Sequence, residues 1–222
     1  MIGIVIPVHN EEALLSDCLM AVQRAAKHCA LNGETVHILV VLDSCTDASA
    51  QIALAHGVAS IAVDARNVGE ARARGARLLV DHGARWIACT DADSQVAEDW
   101  LVAQLSQETD VVCGTVQIGD WGDIPDTVQA QYSGHYHNGD GHRHIHGANL
   151  GFSASAYVRA GGFQPLTVDE DVELVARFQR SGATIAWSSR PQVTTSARLD
   201  VRVEGGFAAY LRNLYVGQQA GA

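Results

Sequence analysis

Apolar and polar positions follow two rhythms along the chain. Residues 2–8 form a near-continuous apolar run, the mark of a strand covered on both faces. Similar runs return at 36–42, in shorter form at 60–63, and at 85–90 and 111–118. Between them apolar residues recur every three to four positions. Leu15, Cys18, Leu19, Val22 and Ala26 predict a helix opening after Asn10, which is suited to cap it, and ending near Gly33. Ser44 and Asp47 are placed as a capping pair for a second helix that runs to His56 and is closed by Gly57. An Ala/Arg-rich helix follows Arg66-Asn67-Val68-Gly69 and ends at Gly83, and another spans about 100–105. Strand and helix alternating at this spacing predict an α/β fold: a parallel sheet with right-handed crossovers and helices on both faces.

The regularity stops after Ile118. Residues 119–146 are rich in Gly, Asp and His and are too long for an ordinary connection; such loops are commonly functional. Order returns at Gly147-Ala148-Asn149-Leu150-Gly151-Phe152, followed by a short helix to Gly161-Gly162-Phe163. Asp169-Glu170-Asp171 opens a further helix with Val172, Val175 and Phe178 on one face. Residues 184–187 and 192–195 read as two strands, and 207–216 as a closing amphipathic helix.

Composition narrows the picture. A chain of 222 residues suffices for one well-buried domain and is short for two. Apolar content of 47% against 18% charged is globular rather than disordered. The net charge of −10 and the lack of a basic run exclude nucleic acid and anionic membrane surfaces as expected partners. Five cysteines show no Cys-x-x-Cys pair. Cys18, Cys89 and Cys113 fall in apolar patterns and read as small buried hydrophobes in a reducing compartment, while Cys45 is expected in a loop, partly exposed. The N-terminus lacks a signal-peptide layout and no apolar run reaches the length of a membrane span. The expectation is a soluble, cytoplasmic protein.

Candidate chemistry concentrates where the apolar run ending at Thr90 meets Asp91-Ala92-Asp93. Ligands of open α/β sheets bind beyond the carboxyl ends of the strands. Two carboxylates one residue apart repel unless a cation or donors lie between them, and oxygen-loving Mg2+ or Mn2+ meets that need. The plainer alternative is an Asp-rich turn with Asp93 or Ser94 capping the next helix. Taken alone, this stretch leaves both open. His135, His137, His142, His144 and His146 are compatible with a transition-metal site, but their spacing matches no standard zinc pattern and includes no cysteine. A ligand-binding loop with exposed histidines is preferred, in which Trp121, Tyr132, Tyr136 and His137 stack on a flat ligand.

Several segments together carry a resemblance: Ile6-Pro7-Val8-His9-Asn10-Glu11-Glu12, Asp43-Ser44-Cys45-Thr46-Asp47, Asn67-Val68-Gly69-Glu70-Ala71-Arg72-Ala73-Arg74, Asp91-Ala92-Asp93, Gly147-Ala148-Asn149, Gly161-Gly162-Phe163 and Glu170-Asp171-Val172-Glu173-Leu174. In this order they resemble the family 2 glycosyltransferases of the GT-A fold, over nearly the whole chain. The resemblance implies a single Rossmann-like domain, 1–222, with a nucleotide-sugar-binding half at 1–118 and an acceptor-binding, catalytic half at 119–222. It further implies a nucleotide-diphosphate sugar donor of UDP or GDP type, a divalent metal (Mg2+ or Mn2+), a hydroxyl acceptor and, usually, inversion at the anomeric carbon.

By the same resemblance Asp43 accepts from the base, although Leu42 stands where the family often has a first acid. Pro7, His9 and Glu11 meet the nucleoside. Arg74 faces the nucleotide, with Arg72 and Arg77 as solvated surface charges, and the helix start at Asn67 and Gly69 points N–H groups into the crevice. Asp93 binds the metal directly, with Asp91 nearer the ribose or the metal's waters. No histidine follows His146 to supply the third metal ligand seen in some members. Asp171 is the expected catalytic base and Glu170 the next choice; three consecutive acids should lift one pKa toward working pH. The family's processive synthases carry membrane helices and a Gln-x-x-Arg-Trp segment, which does not occur here, so single transfer by a non-processive enzyme is expected. A nucleotidyltransferase would want a Gly-rich basic loop where His9-Asn10-Glu11-Glu12 is acidic. A catalytically inactive sugar-nucleotide-binding module would not need Asp91, Asp93 and Asp171 intact.

Overall fold

The structure, a computed structural model, describes residues 1–122 and 124–197. The closing helix expected at 207–216 lies outside the described residues. Strand β1 (Ile2–Val8) is the hub. Its Ile2, Ile4, Ile6 and Val8 pack with Leu15, Cys18, Leu19 and Val22 of helix α1 (Leu15–Ala26) on one face of the sheet, while Val5 packs into a second cluster on the other. Burial on both sides explains the unbroken apolar run. Strand β2 (Val36–Asp43), helix α2 (Ser49–Ala55), strand β3 (Ala59–Val63), helix α3 (Val68–Asp81) and strand β4 (Trp86–Cys89) continue the alternation. Then come β5 (Ser94–Val96), α4 (Trp100–Leu105), β6 (Val111–Ile118), α5 (Asp126–His135), β7 (Leu150–Ser153), α6 (Ala154–Ala160), α7 (Glu170–Arg180) and β8 (Ile185–Thr195).

One eight-stranded sheet runs in the order β3-β2-β1-β4-β7-β6-β8-β5. The first four strands are parallel, as expected. Strand β7 runs against both β4 and β6, β8 is parallel to β6, and β5 runs against β8. Strands from both sides of residue 118 thus share one sheet. Asn149, fully buried, ties this junction together: it takes the indole N–H of Trp100 (2.8 Å) and donates to the carbonyls of Thr115 (2.7 Å) and Pro191 (2.9 Å).

Local signals were reassigned in several places. Asn10 does not cap α1, which starts after Leu14 without a side-chain cap. Its backbone is left-handed (φ 53°) and its Oδ1 accepts the Thr46 N–H instead. Ser44 donates to Asp43 and Asp64 rather than capping, whereas Asp47 does take the Ser49 N–H. Asp47 also accepts the Glu12 N–H while Glu12 accepts that of Ala48, so the loops after β1 and β2 clasp one another. Neither Asp93 nor Ser94 caps a helix, because Ser94 enters β5. The two strands expected at 184–187 and 192–195 are one strand, β8, whose pairing with β6 shifts register at Gly114/Thr115. Helix α5 lies inside the expected loop.

Candidate active site

The carboxyl ends of β1, β2 and β4 face the start of α7 across a cavity of about 1250 Å³. Pro7, His9, Glu11, Asp43, Asp91 and Asp93 line it from the sheet side, and Glu170 and Asp171 from the helix side. The structure therefore brings together every candidate residue except Arg74. That side chain is two-thirds exposed and paired with Glu70 on the outer face of α3.

The correction is Arg72. On α3 the buried residues include Gly69, Arg72, Ala76 and Leu79, one helical stripe facing inward, and Arg74 and Arg77 fall off it. Arg72 is 3% exposed. Its guanidinium bridges Asp91 and Glu170, and its Nε has no partner among the described residues. Burial works against its charge, but the two carboxylates more than offset this and raise its pKa. Gly147 is required beside it, since a Cβ there would lie 2.4 Å from the guanidinium.

Asp91 keeps 38% of its side chain open, toward the cavity it lines. Protein elsewhere around it pushes its carboxyl up to about 6; Asp93, Glu170 and Asp171 add to the shift and Arg72 opposes it. Cys18 donates to the Asp91 carbonyl (3.3 Å), tying the turn after β4 to α1. Asp93 accepts hydroxyl bonds from Ser94 (3.1 Å) and Ser196 (2.9 Å). Sequence reasoning missed Ser196, because the end of β8 reaches Asp93 only through the sheet.

Of the three consecutive acids, Glu170 is the one raised, first by burial and then by Asp171, with Arg72 opposing. It is 4% exposed and committed to Arg72. Asp171 instead takes the Gly147 N–H (2.6 Å) and the Val172 N–H (2.8 Å) at the start of α7. Asp43 is held below the ordinary carboxylate range: burial raises it, but the N–H groups of Asn67, Ala65 and Arg66 and the Ser44 hydroxyl outweigh that. The Asn67 N–H is thereby used, and the Gly69 N–H goes to the Leu166 carbonyl (3.1 Å). Gly69 is needed for this approach, as a Cβ would lie 2.3 Å from the Gln164 carbonyl. These two N–H groups at the start of α3 are therefore not available to an anion.

The acid-rich donor set suits a hard divalent cation. Asp91 and Asp93 line the same cavity, and a cation there would offset the burial and the neighbouring negative charge that raise Asp91. Among the described residues no three His, Cys, Asp or Glu are grouped to hold a metal ion by themselves. Such a site needs phosphate oxygens and water to complete it, the usual manner for Mg2+. The expected exposure holds only for His137 among the described side chains: His142 is buried and His144 and His146 are half-buried, while the His135 side chain lies outside the described residues.

The profile of Glycosyl transferase family 2 matches residues 3–159. The chain belongs to that family. Its fold agrees with solved structures of the GT-A class. S. aureus TarS 1–349 with UDP-GlcNAc superimposes with a TM-score of 0.67 at 11% identity, covering 100% of this chain and 67% of that one. The mannosyltransferase PcManGT from Pyrobaculum calidifontis, with GDP-Man and Mn2+, gives 0.65 at 16% identity and covers 99% and 63%. Glucosyl-3-phosphoglycerate synthase from Mycobacterium tuberculosis, with Mn2+, UDP-glucose and phosphoglyceric acid, gives 0.64 at 17% identity and covers 99% and 80%. The family 2 chain spans only 42% of the longer S. aureus TarS chain. No functionally curated protein matches it. Among the described residues no helix is long and apolar enough to cross a membrane.

Proposed function

We propose that this glycosyltransferase moves one sugar from a nucleotide-diphosphate sugar of UDP or GDP type to a hydroxyl acceptor, with inversion, in a cation-dependent and non-processive reaction. The carrying observation is that Asp91 and Asp93 at the end of β4 and Asp171 at the start of α7 line one cavity. The similar structures hold UDP-GlcNAc, GDP-Man with Mn2+, and UDP-glucose with Mn2+, which supports such a donor and a cation here. Five free cysteines support a reducing, cytoplasmic setting.

The donor base lies against Asp43. With Asn67 on Oδ2 and three donors on Oδ1, that carboxylate keeps acceptor capacity on Oδ2 for a base N–H. Pro7, His9 and Glu11 border the nucleoside. Asp93 and Asp91 would hold Mg2+ or Mn2+, which neutralises charge developing on the departing diphosphate. Arg72 does not bind phosphate; it holds Asp91 and Glu170 apart from one another's charge. Asp171 takes the proton from the acceptor hydroxyl as the new bond forms. Its two backbone N–H partners fix the carboxylate without involving it in an ion pair. Glu170 is unsuited to that role while paired with Arg72.

The test is donor turnover with Mn2+ and with EDTA, followed by NMR of the product anomer. Cation-dependent turnover with inverted configuration is expected. Retention, or turnover indifferent to EDTA, would contradict the proposal.

A further inference from the structure

Opposite the donor floor the cavity has an aromatic wall. The Tyr136 ring lies 4.1 Å from that of His144, nearly parallel at 10°, and 5.1 Å from Tyr132 behind it. His142, His144 and His146, at alternate positions, stack in turn at 5.5 and 6.0 Å. The wall is pinned on several sides. Tyr136 Oη accepts the Val116 N–H and bonds His146 Nε2, each at 2.9 Å. His144 Nε2 bonds the His137 carbonyl (3.1 Å) and His142 Nε2 that of Ser188 (3.4 Å).

The wall is also neutral. Burial lowers the pKa of all three histidines, that of His146 to about 4. Among the described residues the cations lining the cavity are Arg66 and Arg72. Arg72 is held between Asp91 and Glu170, and Arg66 sits on the donor side, its N–H on Asp43. Arg143 stands over Trp187 and is not part of the lining. The space between wall and floor thus meets aromatic rings, apolar Val116, Ile145 and Val172, and the carboxylates of Asp93 and Asp171. Among the described residues, a phosphate or carboxylate there would face like charge without a counter-ion. A sugar ring would pack its C–H groups against the cavity-lining edges of these rings and offer hydroxyls to the carboxylates.

We propose that the acceptor is an uncharged sugar ring, seated against Tyr136, His144 and His146, with the reacting hydroxyl toward Asp171. This rests on the proposed transfer reaction at the same cavity. The test uses the full chain loaded with Mn2+ and UDP, or GDP if only that binds. Saturation-transfer NMR then compares methyl glycosides of glucose, galactose, mannose and N-acetylglucosamine with their 6-phosphates.

At least one neutral glycoside should bind about tenfold or more tightly than its 6-phosphate. His144→Ala should weaken that binding severalfold and leave nucleotide affinity unchanged. His144→Arg should move the preference toward the phosphate. If His144→Ala also loses nucleotide binding, His144→Phe, which restores a stacked ring, should recover both. Tighter binding of the 6-phosphates, or no glycoside binding by nucleotide-loaded enzyme, would overturn the acceptor proposal. Failure of the wild type to bind either nucleotide would instead contradict the transfer reaction itself.

Discussion

On the donor side of the cavity, loops are held by side chains that take backbone N–H groups. Asp43 collects three, Asn10 takes that of Thr46, and Asp47 and Glu12 exchange with the loop opposite. On the acceptor side, the stretch from Tyr132 to His146 is held by stacked rings together with hydrogen bonds of those same side chains, Tyr136 to the Val116 N–H and His142 and His144 to the Ser188 and His137 carbonyls. On the donor side one partner of each bond is a backbone N–H that almost any residue carries, so that floor depends on the few side chains Asn10, Glu12, Asp43 and Asp47. Stacked rings fix a wall through side-chain identity, so the acceptor side can change with few substitutions. Between them lies Arg72, paired with both Asp91 and Glu170.

The largest expected effect is at the acceptor side of the chemistry. Asp171→Asn keeps the shape of the side chain but cannot take a proton, so turnover should fall by about 10²–10⁴ with donor affinity little changed. Steady-state kinetics beside nucleotide titration would separate the two, and loss of nucleotide binding would remove Asp171 from the base role. Next is the bridging residue. Arg72→Met leaves Glu170 buried without its partner and should destabilise the fold by about 3–5 kcal/mol in urea unfolding. An effect under about 1 kcal/mol would show that the bridge is not a structural tie.

His146 tests the wall. Its pKa is lowered from 6.5 to about 4, so the unfolded chain takes the proton first as pH falls. The stability this gives is complete above pH 6.5 and lost as pH drops through 4. Asp91 acts oppositely: raised from 3.8 to about 6, its contribution is present below 3.8 and lost as pH rises through 6. Comparing wild type with His146→Gln cancels the Asp91 contribution. The stability advantage of the wild type should shrink by about 2–3 kcal/mol between pH 7 and pH 4. A constant difference would mean that the imidazole is not kept neutral by the wall. The smallest effect belongs to Arg74→Ala, whose exposed pair with Glu70 should be worth about 0.5 kcal/mol or less, with nucleotide affinity unchanged.

The donor half was legible because each unit there is long and periodic. The apolar run of β1 and the strand end at Asp91 and Asp93 follow directly from it. Arg72 was legible too, since its spacing from Gly69, Ala76 and Leu79 puts it on the buried stripe of α3. Following the family motif to Arg74 overrode that signal. Strands β5 and β7, of three and four residues, are too short for alternation to register. Helix α5 lacks an apolar stripe strong enough to stand out from the loop around it. The aromatic wall joins Val116, Tyr136, His146 and Trp187 through contacts that depend on the sheet order, which no local pattern carries.

The central claim is that Asp91 and Asp93 bind a nucleoside diphosphate through a divalent cation. Calorimetric titration of UDP and GDP into the wild type and Asp93→Ala, each with Mn2+ and with EDTA, tests it directly. Wild-type binding should be roughly tenfold or more tighter with Mn2+, about 1.4 kcal/mol at least, and Asp93→Ala should lose most of that gain. Equally tight binding in EDTA, or an undiminished Mn2+ effect in Asp93→Ala, would contradict it.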